Sequence, residues 1–247
     1  PDLKHKGFNC LFQYTITGLP RVFEVNLVET EDAIDSFKEI SSLFSAKQVF
    51  WRYDPILTSD QTDNEYHLDR FEYIARQLSG YTKRCFVSFA VFYGKVERNF
   101  RAFTKEQGIK FYEPINEQKI ELANQLADIA FQYGMQVYTC CGDYLIGEKV
   151  KKAHCLDGDL ISQLFYSGEL KVKSRPTRKE CGCSESTDIG KYDTCPHGCI
   201  YCYANVNKEK ARQMHDNHDP ESPFLGYGKK EGEEFVAEIE KKKGDQV

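Results

Sequence analysis

Long apolar runs are missing from this sequence. No stretch approaches the roughly 20 consecutive apolar residues that a membrane-spanning helix needs, and no secretory signal opens the chain. We therefore predict a cytoplasmic protein without a membrane partner. An excess of basic charge is missing too, since 33 Lys and Arg stand against 38 Asp and Glu, a net charge of -5. Nucleic-acid binding is therefore not indicated.

Tryptophan is scarce as well, with one residue, and the first residue is Pro1 rather than Met. The 17 Phe and 15 Tyr nevertheless supply a sizeable core, and 247 residues suffice for one large or two small domains. The start at Pro1 leads us to expect that the chain begins after processing or partway through a longer protein.

Ten cysteines are too few for a disulfide scaffold of this length. Eight of them lie between residues 140 and 202, whereas Cys10 and Cys85 stand alone in apolar segments and are expected to be packing residues. In a reducing cytosol, clustered cysteines are metal ligands or catalytic groups more often than disulfides. The sequence therefore places any metal chemistry in its last 110 residues or so.

Strand and helix patterns alternate along the first part of the chain. Three helices are predicted, one after Thr30, one ending at Gly80 and one between Asn116 and Gly134. The predicted buried strands are residues 10–17, 48–54, 84–90 and 135–140. This order predicts an α/β fold with a parallel sheet, either a partial (βα) barrel or a doubly wound sheet.

After Gly168 the sequence has little apolar periodicity and contains five cysteines up to residue 202. We expect a βα-repeat domain over residues 1–168 and a cysteine-rich segment over 169–228, in which a metal-organised loop precedes a helix at about 204–215. A polar tail, helical or disordered, covers 229–247.

The cysteine-rich segment contains the motif C-x3-C-x2-C on Cys195, Cys199 and Cys202. Three thiolates on a four-iron cluster leave one iron without a protein ligand. The spacing resembles that of radical S-adenosylmethionine (SAM) enzymes, in which the open iron binds SAM and the cluster cleaves it to a 5'-deoxyadenosyl radical. The resemblance implies that Tyr201, directly before the last cysteine, lies near the adenine.

A structural zinc site is the alternative interpretation of the same segment. Cys181, Cys183 and His197, together with the three motif cysteines, offer enough ligands for a closed tetrahedral site. Paired C-x2-C motifs are more typical of zinc than the arrangement found here.

A wider resemblance covers most of the chain. Residues 181–205 (CGCSESTDIGKYDTCPHGCIYCYAN), 51–56 (WRYDPI) and 218–224 (HDPESPF) resemble the bacterial family called domain of unknown function 1848. The resemblance implies a radical-SAM-like cluster at the C-terminus and no known reaction. It also implies further βα units before the first strand, which this sequence does not contain.

Further cysteines offer ligands for a second, auxiliary cluster, which four thiolates would close. The candidates are Cys140, Cys155, Cys181 and Cys183, beside Cys141; buried free thiols are the competing interpretation.

Arg52 and Asp54 end the second predicted strand, with Ser88 at the end of the third. Carboxyl ends of barrel strands carry substrate and cofactor contacts. Arg52 is therefore a candidate for a carboxylate such as that of SAM, and an Arg52–Asp54 pair that closes the strand end is the equal alternative.

Two functional hypotheses follow. The first is an enzyme that cleaves SAM reductively, with a reductant protein such as a ferredoxin or flavodoxin and an unknown substrate. The second is a non-enzymatic binding module stabilised by zinc or by an iron–sulfur cluster. Metal content distinguishes them.

Overall fold

The computed structural model describes residues 2–222, 224 and 228–244. The chain divides into two compact units. The first contains Pro1–Pro20 and Val28–Ser186, and the second contains Arg21–Leu27 and Thr187–Val247. Residues 169–186 of the predicted cysteine-rich segment therefore belong to the unit that holds the sheet. None of the described helices has the length and apolar character of a membrane span.

The first unit is built on a five-stranded parallel sheet with the strand order β1-β2-β3-β4-β5. Its strands are β1 (Phe12–Thr15), β2 (Val49–Ile56), β3 (Arg84–Phe89), β4 (Gln136–Thr139) and β5 (Val150–Lys152). The four predicted strands are present, and β5 is an addition. Because neighbours in the sheet follow chain order without a reversal, the α/β fold is the partial barrel type rather than the doubly wound type.

Helices follow the strands as in a βα repeat. They are α1 (Asp2–His5), α2 (Thr30–Leu43), α3 (Asn64–Leu78), α4 (Gly94–Gln107), α5 (Asn116–Gln132), α6 (Gly158–Phe165), α7 (Lys208–Asp216) and α8 (Lys229–Gly244). The three helices predicted in the repeat are α2, α3 and α5, and the helix predicted at about 204–215 is α7, whereas α4 was not predicted. The predicted tail is helical over α8, and its last residues, 245–247, lie outside the described residues.

Side chains alternate between the two faces of the sheet, and the two faces differ in chemistry. Trp51 and Tyr53 of β2 belong to a large apolar core that includes residues of α2, α3 and α5. Phe50 and Phe86 belong to a small cluster on the other face. The positions that share this second face by alternation are Arg52, Asp54 and Ser88. Helices α2, α3 and α5 thus cover one face, and the other carries polar groups toward the carboxyl ends of the strands.

His67 is a polar residue buried against the apolar core. Tyr53 Oη is 2.8 Å from Nδ1 of the fully buried His67, and Nε2 of the same ring is 3.1 Å from the carbonyl oxygen of Leu57. The neutral imidazole satisfies both contacts when Nε2–H donates to Leu57 and Nδ1 accepts from the tyrosine. Burial lowers the pKa of His67 from 6.5 to about 4.

We predict that the buried His67 makes the free energy of unfolding fall in acid. The unfolded chain binds a proton at His67 below pH 6.5 and the folded chain only near pH 4, so stability is present above pH 6.5 and is lost as the pH falls toward 4. The difference corresponds to about 3 kcal/mol. Urea unfolding followed by Trp51 fluorescence should show this loss in the parent protein and a smaller pH dependence in His67→Gln. Equal pH dependences in the two proteins would contradict the assignment.

Candidate metal centre

Three cysteines of the first unit converge at the carboxyl edge of the sheet. Cys140 directly follows β4, Cys155 follows β5 by three residues, and Cys183 arrives on the later loop. Their sulfur atoms all lie within 4.8 Å of one another, and Cys140 Sγ is 3.9 Å from Cys183 Sγ. We call this group the thiol triad. It can hold a metal ion, because three thiols offer soft donors around one point.

The topology explains why residues so distant in sequence meet. β4 and β5 are adjacent and parallel, so the residues that follow them emerge at the same edge. The loop with Cys183 is pinned to this edge, since Ser184 N–H donates to the Leu156 carbonyl oxygen at 2.9 Å. Gly158 N–H in turn donates to Ser184 Oγ at 3.0 Å.

Glycine is required between Cys181 and Cys183. The His154 ring lies against Gly182, and a Cβ added at Gly182 would lie 2.0 Å from His154 Cε1. No larger residue fits without moving the ring. Because residue 182 has no side chain, the backbone passes close to His154, and Cys183 can reach Cys140 and Cys155.

The thiols of the triad influence one another's ionisation. A hydrogen bond from Cys140 is the main cause that lowers the pKa of Cys155, and the nearby positive charge of Arg52 lowers it further. The same hydrogen bond, together with burial, raises the pKa of Cys140. Burial raises the pKa of Cys183 to about 11. In the absence of a cation, Cys155 is therefore the thiol of the triad that ionises first.

Polar side chains of the neighbouring strands lie beside the triad. Arg52 forms an ion pair with Asp54 and donates to Gln13 Oε1 at 3.0 Å. Ser88 donates to the other carboxylate oxygen of Asp54, and Gln13 donates to the carbonyl oxygen of Cys155. The structure thus contains the Arg52–Asp54 pair at the strand end. That these two residues contact SAM stays a prediction.

Cys181 and Cys141 flank the triad without joining it. Cys183 N–H donates to Cys181 Sγ at 3.5 Å, and backbone N–H groups lower the pKa of Cys181. Cys141 Sγ accepts from Arg178 Nε at 3.1 Å. Of the four cysteines predicted for a second cluster, the structure therefore brings three into one group and leaves Cys181 beside them.

The second unit contains the loop of Cys195, Cys199 and Cys202, which we call the CxxxCxxC loop. Its cysteines are half-buried, and their sulfurs are not as close together as those of the triad, which is the one group of three donors within 4.8 Å found among the described residues. The charges of Cys195 and Cys202 nevertheless act on Cys199, so the three thiols are neighbours. His197 is exposed.

The segment Arg21–Leu27 fixes the backbone of this loop. Asn26 N–H donates to the His197 carbonyl oxygen at 3.1 Å, and Asn26 Nδ2 donates to the Pro196 carbonyl oxygen at 2.8 Å. Ile200 N–H donates to the Phe23 carbonyl oxygen at 3.0 Å. The loop is therefore held in place by contacts that span 170 to 177 positions in sequence.

Glycine is also required within the loop. Gly198 has a φ of +73°, and a Cβ there would lie 3.0 Å from Val25 Cγ2. Residue 198 thus combines a left-handed turn with close contact to the segment Arg21–Leu27. The two cysteines on either side of this turn, Cys195 and Cys199, depend on it for their placement.

A buried carboxylate completes the surroundings of the loop. Glu24 is 5% exposed and accepts a hydrogen bond from the Tyr201 hydroxyl. Burial, followed by the charge of Glu24, raises the pKa of Cys199 to about 12. A cation at the loop would offset this concentration of negative groups, so the donor set fits a metal centre.

Comparison with known proteins identifies the family. The family model described as "Domain of unknown function (DUF1848)" matches residues 1–204. The chain belongs to this family. The match contains both the thiol triad and the CxxxCxxC loop. No curated protein and no solved structure matches the chain.

For this member of DUF1848, sequence reasoning missed Glu24 and Asn26. Neither residue lies near a cysteine in the sequence, and Glu24 is separated from Tyr201 by 177 positions. Tyr201 itself was predicted as a neighbour of adenine, and the structure places its hydroxyl on Glu24. No local pattern around residues 21–27 signals this contact.

Proposed function

We propose that this DUF1848 protein is a radical-SAM-type iron–sulfur protein whose four-iron cluster is bound by Cys195, Cys199 and Cys202. The observation that carries the proposal is the C-x3-C-x2-C spacing on a loop whose backbone is hydrogen-bonded to the segment Arg21–Leu27. Three protein thiolates leave one iron for a ligand with paired nitrogen and oxygen donors, and SAM is such a ligand.

A four-iron cluster held by Cys195, Cys199 and Cys202 would supply the one-electron reduction that cleaves SAM. A ferredoxin or flavodoxin supplies the electron to the cluster. The protein's own contribution is to place the three thiolates, to shield Cys199 partly from water and to orient Tyr201 through its hydrogen bond to Glu24. The substrate is left open.

Charge supports a cation at the loop. Glu24 and the three cysteines together place up to four negative groups in one half-buried region when the thiols are ionised. Lys208 Nζ donates to the Gly198 carbonyl oxygen at 2.7 Å and brings one positive charge to the same loop. A metal cluster is the further positive component that this region requires.

Anaerobic reconstitution with iron and sulfide tests the proposal. We expect about four irons at the CxxxCxxC loop, a reduced electron paramagnetic resonance signal that changes when SAM is added, and 5'-deoxyadenosine as a product after dithionite reduction. Protein that acquires no iron would contradict the cluster. Protein loaded with iron whose spectrum is unchanged by SAM would leave the cluster in place and contradict the radical chemistry.

A further inference from the structure

We infer that the thiol triad of Cys140, Cys155 and Cys183 is a separate site for a single divalent ion of the zinc class, with an open fourth position for an anionic ligand. This inference goes beyond the proposed function. It concerns the first unit only and does not depend on a cluster at the CxxxCxxC loop.

Sulfur spacing distinguishes one ion from a cluster. A tetrahedral ion with metal–sulfur bonds of about 2.3 Å holds its thiolates about 3.8 Å apart. The distance between Cys140 Sγ and Cys183 Sγ is 3.9 Å, and all three sulfurs lie within 4.8 Å of one another. Thiolates bound to different irons of a cluster diverge from its centre and lie farther apart. The triad therefore has the dimensions of a mononuclear site.

Three protein ligands indicate an open site. Structural zinc sites are closed by four protein donors, whereas sites with three protein donors keep a position for water or another ligand. Cys181 is the obvious fourth donor, yet its sulfur lies outside the group and accepts the N–H of Cys183 instead. Among the described residues, no further His, Cys, Asp or Glu has a ligand atom in the group.

The surroundings are complementary to an anion. A divalent ion with three thiolates carries a net charge of -1. Arg52 lies beside Cys155, because it donates to Gln13 and Gln13 donates to the Cys155 carbonyl oxygen, and its ion pair with Asp54 leaves part of the guanidinium exposed. Arg178, which donates to Cys141, brings a second positive charge to the same edge. Arg52 is 31% exposed, so solvent anions can reach it. These cations lower the cost of placing an anionic ligand on a centre that is already anionic.

A buried ring nitrogen of His154 lacks a hydrogen-bond partner at the edge of the sheet where the triad lies. Among the described residues, His154 Nδ1 is buried and has no hydrogen-bond partner. His154 directly precedes Cys155, and its ring lies against Gly182, which directly precedes Cys183. A buried polar atom without a partner is costly in a folded protein. This unpaired nitrogen, beside Cys155 and Gly182, marks a polar site at the same edge.

Cobalt titration of the full chain tests the metal site. The protein carries Cys195→Ser, Cys199→Ser and Cys202→Ser, so that the loop cannot bind the ion, and is kept reduced. We expect one Co²⁺ per chain, with thiolate charge-transfer absorption and visible bands of tetrahedral intensity, displaced by Zn²⁺. Adding Cys183→Ser or Cys140→Ser should weaken binding at least 100-fold. Native Trp51 fluorescence shows that each variant is folded.

Two controls test the open position. Cys181→Ser should bind Co²⁺ within a few-fold of its parent, and azide should shift the visible bands of the cobalt protein. Arg52→Gln should weaken the azide effect about ten-fold, and Arg52→Lys should restore most of it. Reduced protein that binds no Co²⁺ would overturn the site. Loss of binding in Cys181→Ser would overturn the open position, and assembly of an iron–sulfur cluster on the triad would overturn the single ion.

Discussion

Replacing Cys199 with serine is expected to remove most of the iron bound at the CxxxCxxC loop and to abolish SAM cleavage. A hydroxyl is a poor substitute for a thiolate on iron, and only Cys195 and Cys202 would remain as ligands. Cys199 is the middle cysteine of the motif, and the charges of the other two act on it. Iron and sulfide analysis, with 5'-deoxyadenosine measured after dithionite reduction, checks the prediction.

Cys10→Ser is the matched control for this substitution. Cys10 is also half-buried, and its Sγ is 3.9 Å from the carbonyl oxygen of Phe8 in the first unit. The control should keep its iron and its SAM cleavage. If Cys199→Ser retains the iron of the parent protein, the loop is not the cluster site, and the proposed function fails at its first step.

Gly198→Ala is expected to reduce cluster assembly strongly, although it leaves every cysteine in place. Alanine at a φ of +73° costs about 1–2 kcal/mol. In addition, its Cβ would lie 3.0 Å from Val25 Cγ2 and 3.4 Å from Asn26 Nδ2, so the loop must move away from the segment that holds it. We expect less than half of the parent's iron after reconstitution.

Gly108→Ala separates the backbone effect from the loss of space. Gly108 ends α4 with a φ of +77°, and a Cβ there would meet no atom within 4 Å. This control should lose about 1 kcal/mol of unfolding free energy in urea and keep its full iron content. Equal iron content in the two variants would show that the contact with Val25 does not position the cysteines.

Much of the sheet could be predicted from local sequence. The segment around Trp51 is rich in aromatic and β-branched residues, and it forms β2, which continues through Asp54-Pro55 to Ile56. The segment around Val87 likewise forms β3. Both strands are largely buried, so their residues are mostly apolar. Each strand is also long enough for this composition to indicate a strand without knowledge of its neighbours.

Short or weakly patterned elements could not be predicted in the same way. β5 contains three residues, of which two are lysines, and it becomes a strand through its pairing with β4. α4 has no side-chain cap at Tyr93 and buries only Val96 and Phe100. Such elements depend on neighbours elsewhere in the chain, which a local pattern does not contain.

The sequence by itself determined the family, the parallel α/β organisation and the C-x3-C-x2-C motif, because repeat order and cysteine spacing are local properties of the chain. Only the tertiary structure decided that Cys140, Cys155 and Cys183 form one group while Cys181 stays beside it, and that Glu24 and Asn26 support the CxxxCxxC loop. These contacts join residues 15 to 177 positions apart. They arise because adjacent strands end at the same edge of the sheet and because later loops fold back against earlier segments. Neither event depends on the residues next to each contact in the sequence, so no local pattern indicates it.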